Sequence, residues 1–96
     1  MDEVFVGELA QFPYRFCPAD WAYCHGQLLA ISQYEVLYTL IGTTFGGDGI
    51  NTFAVPDLRP KDANGNLLNL QVGQIYEGKV FMETFISLQG IYPTQP

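Results

Sequence analysis

Residues 43–59 read TTFGGDGINTFAVPDLR, and this stretch decides how the rest of the chain is interpreted. Three glycines surround Asp48, an apolar run follows, and Pro-Asp-Leu-Arg ends the stretch. A phosphate-binding P-loop needs a lysine after its last glycine, and a dinucleotide fingerprint needs a strand before it and a helix after it. Here the lysine is missing, and the predicted helix comes first. We therefore interpret the stretch as a backbone turn in which glycines adopt positive φ.

The composition predicts one small domain with more apolar surface than its core can hide. The chain has 96 residues, of which 48% are hydrophobic and 15% charged, and fourteen are aromatic. This is too apolar for a disordered chain. A domain of this length buries only about 60–65% of its unfolded surface, so its core is thin. We expect the surplus apolar surface to be buried between chains.

The charge pattern excludes several classes of partner. The net charge is −6, and the four basic residues are scattered along the chain. Without a basic stripe there is nothing to neutralise phosphates, so nucleic acids and anionic membrane surfaces are not expected partners. No apolar run is long enough to span a bilayer, which argues against membrane insertion. The first residues are acidic, whereas a signal peptide begins with basic residues.

Periodicity predicts a mainly β (α+β) fold with one short helix. Ser32 and Glu35 form a capping box, Ile31 and Val36 a hydrophobic staple, and Gly42 a stop, which together predict a helix over 33–41. About six short strands surround it, and we expect the N-terminal strand to pair with the C-terminal one. The principal predicted strands are 4–12, 21–24, 51–55, 71–76 and 79–88.

No set of catalytic residues is present, so the sequence predicts no enzyme, no cofactor and no metal. Asp62-x-Asn64-x-Asn66 begins like a calcium loop, but its glycine is one place early and Gly73 stands at the twelfth position. Asn64-Gly65 instead predicts a tight turn. A cation held between Asp48 and Asp57 is the alternative that the sequence leaves open.

The two cysteines have two interpretations. Cys17 and Cys24 lack the spacing and histidines of a zinc site. Buried free thiols are the preferred interpretation, and a short-loop disulfide is the alternative. Cys24 and His25 are neighbours on a predicted strand, so their side chains point to opposite faces and cannot share a proton.

The aromatic residues with a polar end are the best candidates for binding. Such side chains suit protein interfaces or stacking on sugars, and they also cover thin cores. They are Tyr14, Trp21, Tyr23, Tyr34, Tyr38, Tyr76 and Tyr92.

Three ordered stretches resemble a known family. PADWAYCHGQLLAIS at 18–32, LIGTTFGGDG at 40–49 and TFAVPDLR at 52–59 are similar to the phage tail collar domain. The resemblance is closest to bacterial tail-fibre-like proteins often called microcystin-dependent proteins. It covers roughly 4–59 and returns in ISLQGIYP at 86–93. The chain departs from the family pattern at Cys17, Asp20, His25 and Pro60.

The resemblance implies a division of one domain, 1–96, into three parts. The collar motif occupies 1–59, a shortened connection 60–79 and a closing strand 80–96, so the long middle region of the family is absent. The stretch 43–59 is then a signature of the fold: Phe53 and Val55 face the core, and Asp57 and Arg59 brace each other or nearby backbone. The signature residues are Trp21, Cys24, Gly26, Gln27, Gly42, Gly46, Gly47, Asp48, Gly49, Phe53, Pro56, Asp57 and Arg59.

The function implied is structural. The chain is expected to self-associate, as a trimer or filament, or to dock on other tail-like proteins in a virion, a tail-like particle or an extracellular filament. Strand exchange between subunits is one route, and an adhesin that recognises surface glycans or a protein receptor is the alternative function. The strands expected to assemble contain Val4, Phe5, Val6, Phe85, Ile86, Leu88 and Ile91.

Overall fold

The computed structural model describes residues 4–13 and 15–93. Within these residues, seven short strands and one helix follow each other along the chain, and the prediction of a mainly β fold with one short helix is confirmed. The elements are β1 (Leu9–Phe12), β2 (Trp21–Tyr23), β3 (Leu28–Ala30), α1 (Glu35–Ile41), β4 (Thr52–Ala54), β5 (Ile75–Tyr76), β6 (Lys79–Val80) and β7 (Glu83–Ser87).

The main sheet has β7 at its centre, with β1 and β2 on either side. Both neighbours run antiparallel to β7, with Leu9 opposite Ile86 and Trp21 opposite Ser87. The N-terminal strand therefore pairs with the C-terminal strand, as predicted. The other two sheets have two strands each: β3 pairs antiparallel with β4 across the segment that contains α1, and β5 forms a hairpin with β6.

The N-terminal segment is not one strand over 4–12, because a bulge interrupts it at Gly7. Gly7 has φ of 84° and donates to the Ser87 carbonyl, while the Ser87 N–H donates to the Glu8 carbonyl. Two residues thus oppose one, which is a β-bulge with glycine in its left-handed position. Beyond the bulge, Phe5 forms a parallel bridge with Ile91.

The helix begins at Glu35 and not at residue 33, so the predicted capping box and staple are wrong. Tyr34 occupies the N-cap without a side-chain hydrogen bond. The N–H of Tyr34 donates instead to the carbonyls of Ala30 and Ile31, so a backbone turn takes the donor that Ser32 was expected to cap. Val36 is half-exposed. The helix ends at Gly42 as predicted, with φ of 55° and an N–H donated to Tyr38 at 2.8 Å.

The core lies between the main sheet, the helix and the β3–β4 pair. Phe53 and Val55 are fully buried there, as predicted, beside Leu37 of the helix. The Tyr38 ring packs edge-on against Phe53 with centroids 5.4 Å apart. The buried cluster consists of Val6, Ala22, Cys24, Leu37, Phe53, Val55 and Ile86.

Residues 60–82 connect the collar motif to β7 and contribute no buried residue. The predicted strand 71–76 is reduced to β5, and the predicted strand 79–88 is divided into β6 and β7, because β6 turns back to pair with β5 through two residues on each side. The turn predicted at Asn64-Gly65 forms, with φ of 86° at Gly65. Asp62 Oδ1 accepts the N–H groups of Asn64 and Asn66, so the segment that begins like a calcium loop is a self-contained turn.

Candidate assembly surface

The glycine loop uses Asp48 as its internal acceptor. Asp48 Oδ1 accepts the N–H groups of Ile50, Asn51 and Thr52 at 2.8, 2.8 and 3.0 Å. These bonds, that of Thr52 first, lower the pKa of Asp48 to about 2. The carboxylate therefore holds the loop's own backbone and stays charged across the physiological range.

Gly47 marks the closest approach within this loop. A Cβ at that position would lie 2.6 Å from the Thr52 carbonyl oxygen and closer still to the backbone of Phe53. Its φ of 96° also favours glycine. Only glycine lets the loop fold back directly on β4, which keeps Phe53 in the core.

The two halves of the collar motif pair with each other through the backbone. Gly26 N–H donates to Pro56, Val55 N–H to Gln27, and Leu58 N–H to Cys24. A Cβ on Gly26 would lie 3.1 Å from the Asp57 Cβ, so the two segments of the chain run close together here. Sequences that are about thirty residues apart thus form one unit.

Asp57 and Arg59 bind each other, which was one of the two roles expected for them. Arg59 Nε and Nη2 donate to the two carboxylate oxygens of Asp57 at 2.9 and 2.8 Å. The Arg59 guanidinium holds the pKa of Asp57 well below its usual range. Asp48 thus bonds to the backbone of its own loop, whereas Asp57 bonds to Arg59. Within 4–13 and 15–93, no three His, Cys, Asp or Glu side chains gather as metal ligands.

His25 and Cys24 point to opposite faces, as predicted. Cys24 is in the core, whereas His25 stacks on Tyr23 with centroids 4.8 Å apart and its Nε2 lies 2.8 Å from Glu83 Oε1. The sequence did not predict this pair, because Glu83 is 58 residues away. The pair of His25 and Glu83 connects the collar motif to β7.

Both cysteines are free thiols in the structure. Burial, followed by the charges of Glu83 and Cys17, raises the pKa of Cys24 to about 11. Burial also raises the pKa of Cys17. Both thiols are therefore protonated near neutral pH and poor nucleophiles.

The aromatic candidates divide between packing and exposure. Trp21 packs edge-on with Phe12 at 5.2 Å, and Tyr23 lies against Phe85 at the same centroid distance. Tyr34 and Tyr38 are partly buried, and Tyr76 and Tyr92 are exposed. Tyr14 lies outside the described residues.

The outer edge of β2 is sealed by side chains. Because hydrogen-bonded pairs alternate along an antiparallel ladder, Trp21 and Tyr23 turn their backbone groups away from β7. Cys17 Sγ donates to the Trp21 carbonyl at 2.9 Å, and Gln27 Nε2 donates to the Tyr23 carbonyl at 2.8 Å. The Trp21 N–H donates to Pro18. We call this the sealed edge.

The outer edge of β1 is open. By the same alternation, the backbone groups of Leu9 and Gln11 point away from β7. Among the described residues, nothing donates to or accepts from these four groups. The Leu9 side chain is 49% exposed. This open edge is a site at which another strand can add.

Comparison with protein families agrees with this geometry. The family model described as Phage Tail Collar Domain matches residues 7–62, which include both paired halves of the motif. The chain belongs to the phage tail collar domain family. Neither the curated proteins nor the solved structures that were compared contain a match. Membership indicates a structural role in a phage tail and association with the virion or its tail.

In this collar domain, the strands expected to assemble pair within the chain. Val4 and Val6 bond to Ile91, and Leu88 N–H donates to Asp20. Phe85 and Ile86 are buried. Which edge of the sheet is open was not predicted, since no sequence signal tells which of two edges side chains cover. No helix within the described ranges has the length and apolar character to cross a membrane.

Proposed function

We propose that this collar domain is a structural subunit that associates with further copies of itself through the open edge. The observation that carries the proposal is the contrast between the two edges of one sheet. Nearly all outward backbone groups of β2 have intrachain partners, whereas the four of β1 have none among the described residues. An unpaired edge strand is a template for strand addition.

Exposed apolar side chains lie at the end of the molecule where β1 begins. Phe5 and Ile91, which bridge each other next to the bulge, are each about two-fifths exposed, and Leu9 is similar. Burial of such surface contributes about 25 cal/mol per Å2. A second copy that adds a strand at β1 would cover these side chains as well as the backbone.

Two arrangements are compatible with this proposal. In a fibre-like particle three copies associate, and in a filament each chain donates a terminal segment, 4–6 or 91–93, to the β1 edge of the next copy. Other tail-like proteins can occupy the same edge. We infer a place in a virion, a tail-like particle or an extracellular filament.

We also infer a relation to the microcystin-dependent proteins, as one domain with a short middle section. The segment 60–82 supports this inference, because it forms only turns and a two-residue hairpin between the motif and β7. In this proposal, the segment stands where those proteins carry a longer region.

Sedimentation velocity over a range of concentrations tests the proposal. Leu9→Lys places a charge at the open edge. Gln11→Pro removes an outward N–H without removing an intrachain backbone hydrogen bond, and it also removes the exposed bond from Gln11 Nε2 to the Thr84 hydroxyl at 3.4 Å. Leu28→Lys is the matched control, since Leu28 is also an exposed strand leucine, 59% against 49%, but lies in the other sheet. Both edge variants are expected to shift the protein to monomer, while the control leaves assembly unchanged.

A wild-type protein that stays monomeric at high concentration would contradict self-association. Equal assembly by Leu9→Lys and Leu28→Lys would place the contact elsewhere. Truncation of 84–96 is not a usable test, because it removes β7, which carries the buried Phe85 and Ile86. Glycan binding by Trp21 has less support, because its ring already packs on Phe12.

A further inference from the structure

A cavity between the collar motif and the segment 60–82 has the composition of a small-ligand site. Its volume is about 290 Å3. Its lining includes His25, Arg59 and Glu83 from the motif and β7. Asn69 and Phe81 from the segment 60–82 also line it. Leucines and a proline complete the lining. Ligand sites are concave, with an apolar lining and a few convergent polar groups, and measure about 300–1,000 Å3.

The polar side chains of the motif and β7 at the cavity already have partners. His25 Nε2 lies 2.8 Å from Glu83 Oε1, and Arg59 is bonded through two nitrogens to Asp57. These pairs fix the side chains in place, so a ligand need not order them. Because each charge has its partner and the chain carries a net −6, the cavity does not favour an anion.

Hydrogen-bonding capacity nevertheless remains at the cavity. Among the described residues, Glu83 Oε2, Arg59 Nη1 and the Asn69 side-chain amide have no hydrogen-bond partner. No described buried side-chain nitrogen or oxygen lacks a partner, so the free oxygen of Glu83 must be accessible. The site therefore offers a strong acceptor, a charged donor and an amide that does both.

We propose that this cavity binds a neutral sugar ring. A hexose presents hydroxyls that can donate to Glu83 and accept from Arg59, while Asn69 can bond in either sense. Its C–H faces suit the apolar lining, including Phe81. The volume admits a single ring. The site is distinct from Trp21 and the tyrosines, and it does not depend on self-association at the open edge.

Amide NMR titration with glucose, galactose and mannose tests the proposal, with glucuronate as the charged comparison. At least one neutral hexose is expected to shift amides of the cavity at up to about 100 mM, far above a millimolar Kd. Asn69→Ala is expected to weaken that binding about fivefold, the value of one hydrogen bond. Asn69 is exposed and its side chain has no intrachain bond, so this variant keeps the fold.

Asn64→Ala is the matched control, because Asn64 is an exposed asparagine of the same segment away from the cavity. It should bind the hexose as the wild type does. Absence of shifts with all three hexoses, equal weakening by the two variants, or tighter binding of glucuronate would each overturn the proposal. Leu9→Lys, which disrupts the open edge, should leave hexose binding unchanged, so the two proposals can fail separately.

Discussion

The collar motif and the segment 60–82, which connects it to β7, differ in how they are packed, although both are rich in turns. The motif packs Leu37, Phe53 and Val55 into the core and pairs its two halves through the backbone. The connecting segment contains no buried residue, and most of its residues are exposed. Glycines and aspartates shape turns in both regions. Variants in the two regions therefore distinguish the stability that a turn contributes by itself from the stability that it contributes when it packs on the core.

The largest expected difference concerns side-chain burial. Phe53→Ala removes a fully buried ring and should lower the free energy of unfolding by about 3–5 kcal/mol. Ile75→Ala, in the connection, removes a side chain that is 72% exposed and should cost less than about 0.5 kcal/mol. Urea unfolding followed by the fluorescence of Trp21 measures both. A comparable loss in the two variants would mean that Ile75 is covered, as in an assembly.

Two glycines with nearly the same backbone angle separate close packing from conformational strain. Gly47 has φ of 96° and Gly73 has φ of 93°, so alanine meets similar backbone strain at both. Only at Gly47 would the added Cβ collide with backbone, whereas nothing lies within 4 Å at Gly73. We expect a loss of about 3 kcal/mol for Gly47→Ala and about 1 kcal/mol for Gly73→Ala.

Thermal unfolding checks this pair, since about 1 kcal/mol shifts the Tm of a domain this size by about 4–8 °C. Equal shifts for the two alanine variants would mean that the loop at Gly47 can move away from Phe53. The motif would then be no more tightly specified than the connection.

Features determined by nearby residues were predictable from the sequence, and features determined by distant ones were not. Gly42 ends the helix and Asn64-Gly65 turns the chain as predicted, because each depends on local backbone preferences. The helix start was wrong, because a turn after β3 competed for the N–H that Ser32 was expected to cap. The pair of His25 and Glu83 joins residues that only the folded sheet brings together.

The two outer edges of the main sheet also depend on contacts that the sequence does not reveal. The sequence predicted that the terminal strands pair, but Gln27 and Cys17 seal β2 by bonding to carbonyls four residues away. Whether these two side chains reach the carbonyls depends on the intervening turns, for which the sequence has no fixed signal. The corresponding backbone groups on β1 have no partner among the described residues, so the position of the open edge could be found only from the structure.

The smallest effect compares two aspartates that hold turns. Asp48 in the motif accepts three backbone N–H groups, and Asp62 in the connection accepts two. These bonds lower the pKa of Asp48 from 3.8 to about 2 and also lower the pKa of Asp62. A lowered folded-state pKa contributes stability above the unfolded value, and that contribution is lost as the pH falls through the folded value.

Asp48→Asn should therefore be less stable than wild type at pH 7, with the difference fading between about pH 4 and pH 2. Asp62→Asn should show the same direction with a smaller difference, because its turn touches no core residue. Denaturant unfolding at a series of pH values measures both curves. Both side chains are exposed to solvent, so salt should reduce the differences. A larger effect at Asp62 would mean that the connection, and not the glycine loop, supports the fold.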